Sequence, residues 1–139
     1  MSARRFVDTN ILIYAQDRST GAKHERARRL LAELWNSGEG VISTQVLQEF
    51  SSNVRRKSAR PPSAEELRQT IEDFLTWPVV VNSAAATLRA LENEDRFQVP
   101  FWDGLILQAA EAAGAEVLYT EDFSDGRLYG TVRAVNPFR

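Results

Sequence analysis

The sequence contains no cysteine, one histidine and one methionine in 139 residues. Without cysteine there is no disulfide and no thiolate metal site. A lone histidine, His24, leaves no cluster of imidazole ligands and a single residue through which a Ser-His-Asp triad must pass. No apolar run approaches the length needed to span a bilayer, so no membrane partner is expected. Arg4 and Arg5 are followed by Asp8 and Asn10, too polar a continuation for a signal peptide. These features fit a reducing compartment, and the expected localisation is cytoplasmic. Neither sign of charge dominates: the formal net charge is -2, so local patches rather than the total must carry any attraction to nucleic acid. At this length one domain with a real core is expected over residues 1–139, and there is no room for two.

What is present alternates between short apolar runs and helical patterns. Phe6-Val7 predicts a buried strand that ends at Asp8 and leads into an apolar helix-like segment, Ile11–Ala15. Ala27, Leu30, Leu31, Leu34 and Trp35 recur at helical spacing as one buried stripe, with His24 off it and facing solvent. Val41-Ile42-Ser43 reads as a second strand, followed by a helix over Gln45–Lys57 whose core face is Val46, Leu47, Phe50 and Val54. Ser63 and Glu66 form a capping box for the next helix, with Leu67, Ile71, Phe74 and Leu75 on its apolar side. Val79-Val80-Val81 is the third strand, and Ser83 opens a helix carrying Ala84, Leu88 and Leu91 that closes in a solvated turn over Glu92–Arg96. Pro100 suits the start of the helix that follows, and Gly114 its end. Glu116–Thr120 and Thr131–Val135 complete the strands. Strands alternating with helices imply right-handed crossovers and a three-layer α/β/α fold, with a mostly parallel sheet of four to five strands in the order 3-2-1-4-5.

Four acids acquire meaning in that order. Asp8 ends the first strand and Asp122 follows the fourth; Glu49 lies early in the helix after the second strand, and Asp103 in the first turn of the helix before the fourth. Each has an ordinary explanation alone: Asp8 caps a helix, Glu49 is a surface residue, and Asp103 answers a helix dipole. The order 3-2-1-4-5 brings all four to the crevice where the sheet reverses direction, the usual ligand site of an open α/β sheet. Two carboxylates about 4 Å apart repel by roughly 4 kcal/mol at an effective dielectric near 20. A cluster of four therefore requires a shared proton or a divalent cation. Oxygen ligands alone select hard ions, Mg2+ or Mn2+, with Asp8 and Asp103 the expected direct ligands and Glu49 and Asp122 holding a second ion or orienting water. Such a site suits attack of a metal-activated water on a phosphodiester. Thr9, Asn10 and Thr120 have hydroxyl or amide groups able to hold the carboxylates in place.

Val7-Asp8-Thr9-Asn10, then Thr44-Gln45 with Glu49-Phe50, then Trp102-Asp103 with Leu107, then Tyr119-Thr120-Glu121-Asp122-Phe123 together resemble a PIN domain. More narrowly they resemble the VapC-type ribonuclease toxins of type II toxin–antitoxin pairs, over essentially the whole chain to Val135-Asn136-Pro137-Phe138. The resemblance implies an Mg2+- or Mn2+-dependent endoribonuclease with Asp8, Glu49, Asp103 and Asp122 as its acidic residues, a homodimer, and a cognate antitoxin that blocks the site. The last acid is the open one, because Glu121 and Asp125 are close enough to share or take its role.

An RNA substrate needs positive charge beside the acids, and Arg55, Arg56, Lys57 and Arg60 trail the helix that carries Glu49. The helices on either side of Pro61-Pro62 offer a groove for an antitoxin helix, and Trp77 or Phe97, if exposed, another partner contact. Three other functions compete. A receiver-type signalling domain wants paired acids after the first strand and a late lysine, but Asp8 stands alone and no lysine follows Lys57. A non-catalytic RNA- or protein-binding module predicts that the acids are dispensable. A DNA-directed nuclease wants an additional DNA-gripping domain that this length does not provide.

Overall fold

The computed structural model describes residues 3–139. Six strands form one sheet in the order β3-β2-β1-β4-β6-β5. The elements along the chain are β1 (Arg4–Val7), α1 (Thr9–Gln16), α2 (Ala22–Ser37), β2 (Gly40–Ser43), α3 (Thr44–Lys57), α4 (Ala64–Phe74), β3 (Val79–Val80), α5 (Ala84–Phe97), α6 (Phe101–Ala112), β4 (Ala115–Tyr119), β5 (Leu128–Tyr129) and β6 (Val132–Val135). All neighbours pair in parallel except β5 with β6. Central β1 is paired on both sides, with Phe6 opposite Val41 of β2 and Leu118 of β4. Phe6, Val7, Val41, Ile42 and Leu118 are fully buried, as strands covered on both faces require. The chain steps outward from β1 to β2 to β3 and then returns to β4 on the other side of β1. Right-handed crossovers place the helices of the outward and return paths on opposite faces. The direction of travel thus reverses between β1 and β4, and Asp8 follows β1 directly.

Local sequence accounts for most boundaries. Ser43 caps α3 by accepting from the Val46 amide at 3.4 Å. Ser63 and Glu66 exchange both bonds of the capping box at 2.9 and 3.1 Å. Gly38 closes α2 with a φ of 73°, a conformation that costs other residues a clash at Cβ. No described helix is long and apolar enough to cross a membrane.

Several expectations fail for identifiable reasons. The sheet gains β5, a two-residue edge strand folded back on β6 through Gly130 at φ 63°; two residues carry no readable periodicity. The third strand stops at Val80, leaving Val81 exposed. Glu92–Arg96 is not a solvated turn but the polar side of α5, which continues to Phe97 because that ring is buried against Tyr129, 5.4 Å between centroids. Leu88 and Leu91 face solvent, and Ala86 and Ala90 take the inner side of α5 instead. That exchange follows from how closely α5 and α6 approach: a Cβ on Gly104 would lie 2.6 Å from the Ala90 carbonyl oxygen. His24 is buried rather than solvated, its Nδ1 3.0 Å from the Tyr14 carbonyl oxygen. Trp35 and Leu75 are exposed, though Trp35 still packs on Phe74 and Trp77. Trp77 and Phe97 are both buried, so neither offers the exposed partner contact considered above.

The α5–α6 crossing gives a direct test. Gly104→Ala adds about 1 kcal/mol of helix propensity but drives a methyl into backbone that cannot rotate away, an overpacking cost of about 1–3 kcal/mol. The clash is expected to win, lowering the urea midpoint without changing the slope of the transition.

Candidate active site

At the carboxyl end of β1 the Asp8 amide extends the ladder by donating to the Tyr119 carbonyl at 3.0 Å. The side chain of Asp8 is then trapped between two elements. Its Oδ1 accepts from the Thr9 amide at 2.7 Å, capping α1, and its Oδ2 accepts from the Thr120 hydroxyl at 2.8 Å. Thr120 Oγ1 in turn accepts from the Asp122 amide at 3.0 Å, which fixes the chain leaving β4. Capping is thus a real role of Asp8, but it leaves a carboxylate 4% exposed with no cationic partner among these contacts.

Asp8, Glu49, Asp103 and Asp122 line the same hollow, about 190 Å³ in volume. Glu49 is held by the Thr9 hydroxyl, which donates to its Oε1 at 2.8 Å. Asn10 Nδ2 donates to Asp122 Oδ2 at 2.9 Å. Thr9, Asn10 and Thr120 therefore each hold one of the acids, Thr120 from behind Asp8. The two competitors for the last acid are occupied elsewhere. Glu121 pairs with Lys23 and accepts from the Tyr14 hydroxyl at 2.6 Å, while Asp125 accepts from the Asn136 amide at 2.8 Å. Burial works to raise the Glu121 carboxyl, but its bonds to Lys23 and Tyr14 hold it below the ordinary glutamate range.

The electrostatics of the hollow run the other way. Burial, and then the charges of Asp122 and Asp103, raise the Asp8 carboxyl to about 7 against the bonds from Thr120 and Thr9. Burial, followed by the charges of Asp122 and Glu49, raises Asp103 to about 6. Among the described residues no three acids are gathered tightly enough to enclose an ion as the side chains stand. They nonetheless share one hollow, and the neighbouring charges disfavour ionisation of Asp8 and Asp103. Two buried carbonyl oxygens on the same wall, Asn10 Oδ1 and Gln45 Oε1, have no hydrogen-bond donor. Oxygen-only donors, excess negative charge and unpartnered carbonyls fit a hard divalent cation.

The basic cluster divides. Lys57 lines the hollow, but Arg55, Arg56 and Arg60 do not. Arg56 donates to Asn53 at 2.6 Å, and Arg60 borders a separate depression with Asp17 and Glu66. Sequence reasoning missed Gln45, Asn53 and Trp102 as lining residues. A signal for the first two was present: Gln45, Glu49, Asn53 and Lys57 fall four apart, one polar stripe along α3.

Solved structures share this architecture. A toxin–antitoxin complex from Klebsiella pneumoniae matches with a TM-score of 0.68 and 24% identity, covering 98% of each chain. VapC20 of Mycobacterium tuberculosis, described as a sarcin–ricin loop cleaving toxin, matches at 0.65 and 22%, covering 85% of this chain and 89% of its own. The DNA-bound VapBC of Salmonella typhimurium matches at 0.64 and 20%, covering 96% and 97%. No curated protein matches the sequence. The family model described as PIN domain matches residues 5–124. With most of its length under that match and with the sheet order and acidic hollow described above, the chain belongs to the PIN domain family.

Proposed function

We propose that this chain, acting as a single domain over residues 1–139, is a divalent-metal-dependent endoribonuclease. The observation that carries the reading is the convergence of Asp8, Glu49, Asp103 and Asp122 on one hollow where two carboxyls are held well above their usual range. Asp8 and Asp103 would hold an Mg2+ or Mn2+ ion, with Glu49 and Asp122 completing the acidic set. Such a cation neutralises the site and supplies a water of lowered pKa for attack on phosphorus. The protein's own part is positioning. Thr120 and the Thr9 amide orient Asp8, the Thr9 hydroxyl orients Glu49, and Asn10 orients Asp122. Lys57, on the wall of the hollow, would meet a backbone phosphate; Arg55, Arg56 and Arg60, which do not line it, would meet only RNA that extends beyond it.

The biological role that fits is the toxin of a type II toxin–antitoxin pair. Similar structures are a toxin described as cleaving the sarcin–ricin loop and two toxin–antitoxin assemblies. On this reading a cognate antitoxin covers the hollow, the toxin works as a homodimer in the cytoplasm, and RNA is the substrate. The purified protein should cut RNA in Mg2+ or Mn2+ and stop when chelator is in excess, followed by gel analysis of total RNA. Equal cutting in chelator would refute the metal mechanism. Expression alone should arrest growth, and co-expression of the neighbouring open reading frame should restore it.

A further inference from the structure

Gln45 lies in the first turn of α3, four residues before Glu49 and on the same side of the helix. It is 4% exposed. Nε2 donates to the Trp102 carbonyl at 3.1 Å, where the amide oxygen in its place would face that carbonyl's own oxygen. The assignment of the two amide ends is thereby fixed, and Oε1 becomes the free end. That oxygen is buried and has no donor. An unpartnered buried acceptor is costly, and native proteins rarely keep one without a reason. No donor on the surrounding wall reaches it. Asp8, Glu49, Asp103 and Asp122 are acceptors when ionised, Asn10 Nδ2 donates to Asp122, and the Asn53 amide and Lys57 ammonium that also line the hollow do not reach Gln45 Oε1. A molecule that enters the hollow with its own hydrogen-bond donor would satisfy it.

We infer that Gln45 accepts a hydrogen bond from a water molecule carried on the divalent cation, and is a positioning residue for the cation's hydration shell. The inference rests on the metal reading of the same hollow. A hard cation such as Mg2+ retains several of its waters when protein-bound, and each is a strong, polarised donor. The hollow's volume of about 190 Å³ is several times the roughly 30 Å³ that one water occupies, so the ion can enter hydrated. The carboxylates would hold the ion and orient some of those waters, and the neutral carbonyl of Gln45 would take one on the α3 side without adding a fifth negative charge. Gln45 has a structural job as well: its bond to Trp102 ties the helix bearing Glu49 to the turn bearing Asp103. The two roles make different predictions.

The decisive measurement is an Mg2+ titration of the isotopically labelled protein, following side-chain carboxyl and carboxamide resonances by NMR, with Gln45 assigned by its disappearance in Gln45→Met. The Gln45 carboxamide carbon is expected to shift with the same midpoint as the Asp8 and Asp103 carboxyl carbons. In parallel, Gln45→Met should weaken binding of Mn2+ alone by about tenfold, the usual loss for a second-layer partner of a metal site. Gln45→Glu, which keeps an acceptor but cannot donate to Trp102 when ionised, should retain Mn2+ binding. Carboxyl shifts with an unmoved Gln45, or Mn2+ affinity unchanged in Gln45→Met, would overturn the inference while leaving the metal reading in place. Weakening by both variants would reduce Gln45 to a tie between helices and would likewise overturn it. If no carboxyl in the hollow responds to Mg2+, the metal reading itself has failed and this inference falls with it.

Discussion

Asp8→Asn is expected to abolish RNA cleavage while raising the melting temperature of the metal-free protein. The loss follows from where Asp8 stands. It is the most buried of the four acids, and an amide in its place removes a charge that on the proposed mechanism holds the cation. Losing several kcal/mol of transition-state charge stabilisation, the scale of a metal's contribution, corresponds to about 10³-fold in rate. The gain in stability follows from the same burial. Asparagine keeps an oxygen to accept from the Thr9 amide, and its nitrogen can donate to the Thr120 hydroxyl, which rotates to accept. The cap and the link to β4 survive, whereas the buried charge and its repulsion with Asp122 and Asp103 are gone. A gain of about 2 kcal/mol at pH 8 corresponds to a rise of about 6–8 °C for a chain of this size. Single-turnover cleavage and thermal unfolding in chelator measure the two halves. A variant that is both stabilised and fully active would remove Asp8 from the mechanism. Growth arrest that persists with Asp8→Asn would favour a non-catalytic binding module.

The second large effect is on pH. A carboxyl raised on folding from 3.8 to about 7 keeps its proton in the folded state while the unfolded chain has lost it. Between those values the folded protein binds more protons, so stability falls as pH rises. Its contribution is complete below about pH 4 and is lost as pH passes through 7, with Asp103, raised to about 6, acting in the same direction. Three units for buried Asp8 amount to on the order of 4 kcal/mol. Glu66 and Glu121, lowered by the capping box and by the Lys23 and Tyr14 contacts, oppose this only on acidification, because their contributions are present above the unfolded value and lost below it. The metal-free protein should therefore be most stable in mildly acidic solution and melt about 10 °C lower at pH 8. On the proposed metal mechanism Mg2+ takes over the role of the proton, so it should raise the melting temperature strongly at pH 8 and little at pH 5. A metal-free melting temperature that is flat or rising from pH 5 to 8 would contradict the electrostatics described for the hollow.

Much of this was readable from the sequence because it is written in short-range terms. Phe6-Val7 and Val41-Ile42 are buried on both sides of the sheet, so each appears as an uninterrupted apolar run with a polar stop. The Ser63–Glu66 capping box uses residues three apart, and both of its bonds form. The order of the acids relative to the strands sufficed to place all four at one end of a parallel sheet. Where the reading failed, a distant partner had decided. His24 is buried beside the Tyr14 carbonyl on another helix, and the close approach of α6 at Gly104 is to Ala90, which with Ala86 takes the inner face of α5 while Leu88 faces solvent.

The central strand order 3-2-1-4, the family resemblance and the placing of four acids at one end of the sheet were legible in the chain, since strand runs, caps and the position of an acid after a strand are local properties. Only the tertiary structure decided which neighbours those acids keep. Lys57 faces the hollow while Arg55 and Arg56 do not because successive helical residues point about 100° apart. Glu121 is drawn away to Lys23, some hundred residues earlier, and Asp122 remains. The bond that leaves Gln45 Oε1 without a donor joins residues 57 apart, a distance no local pattern spans.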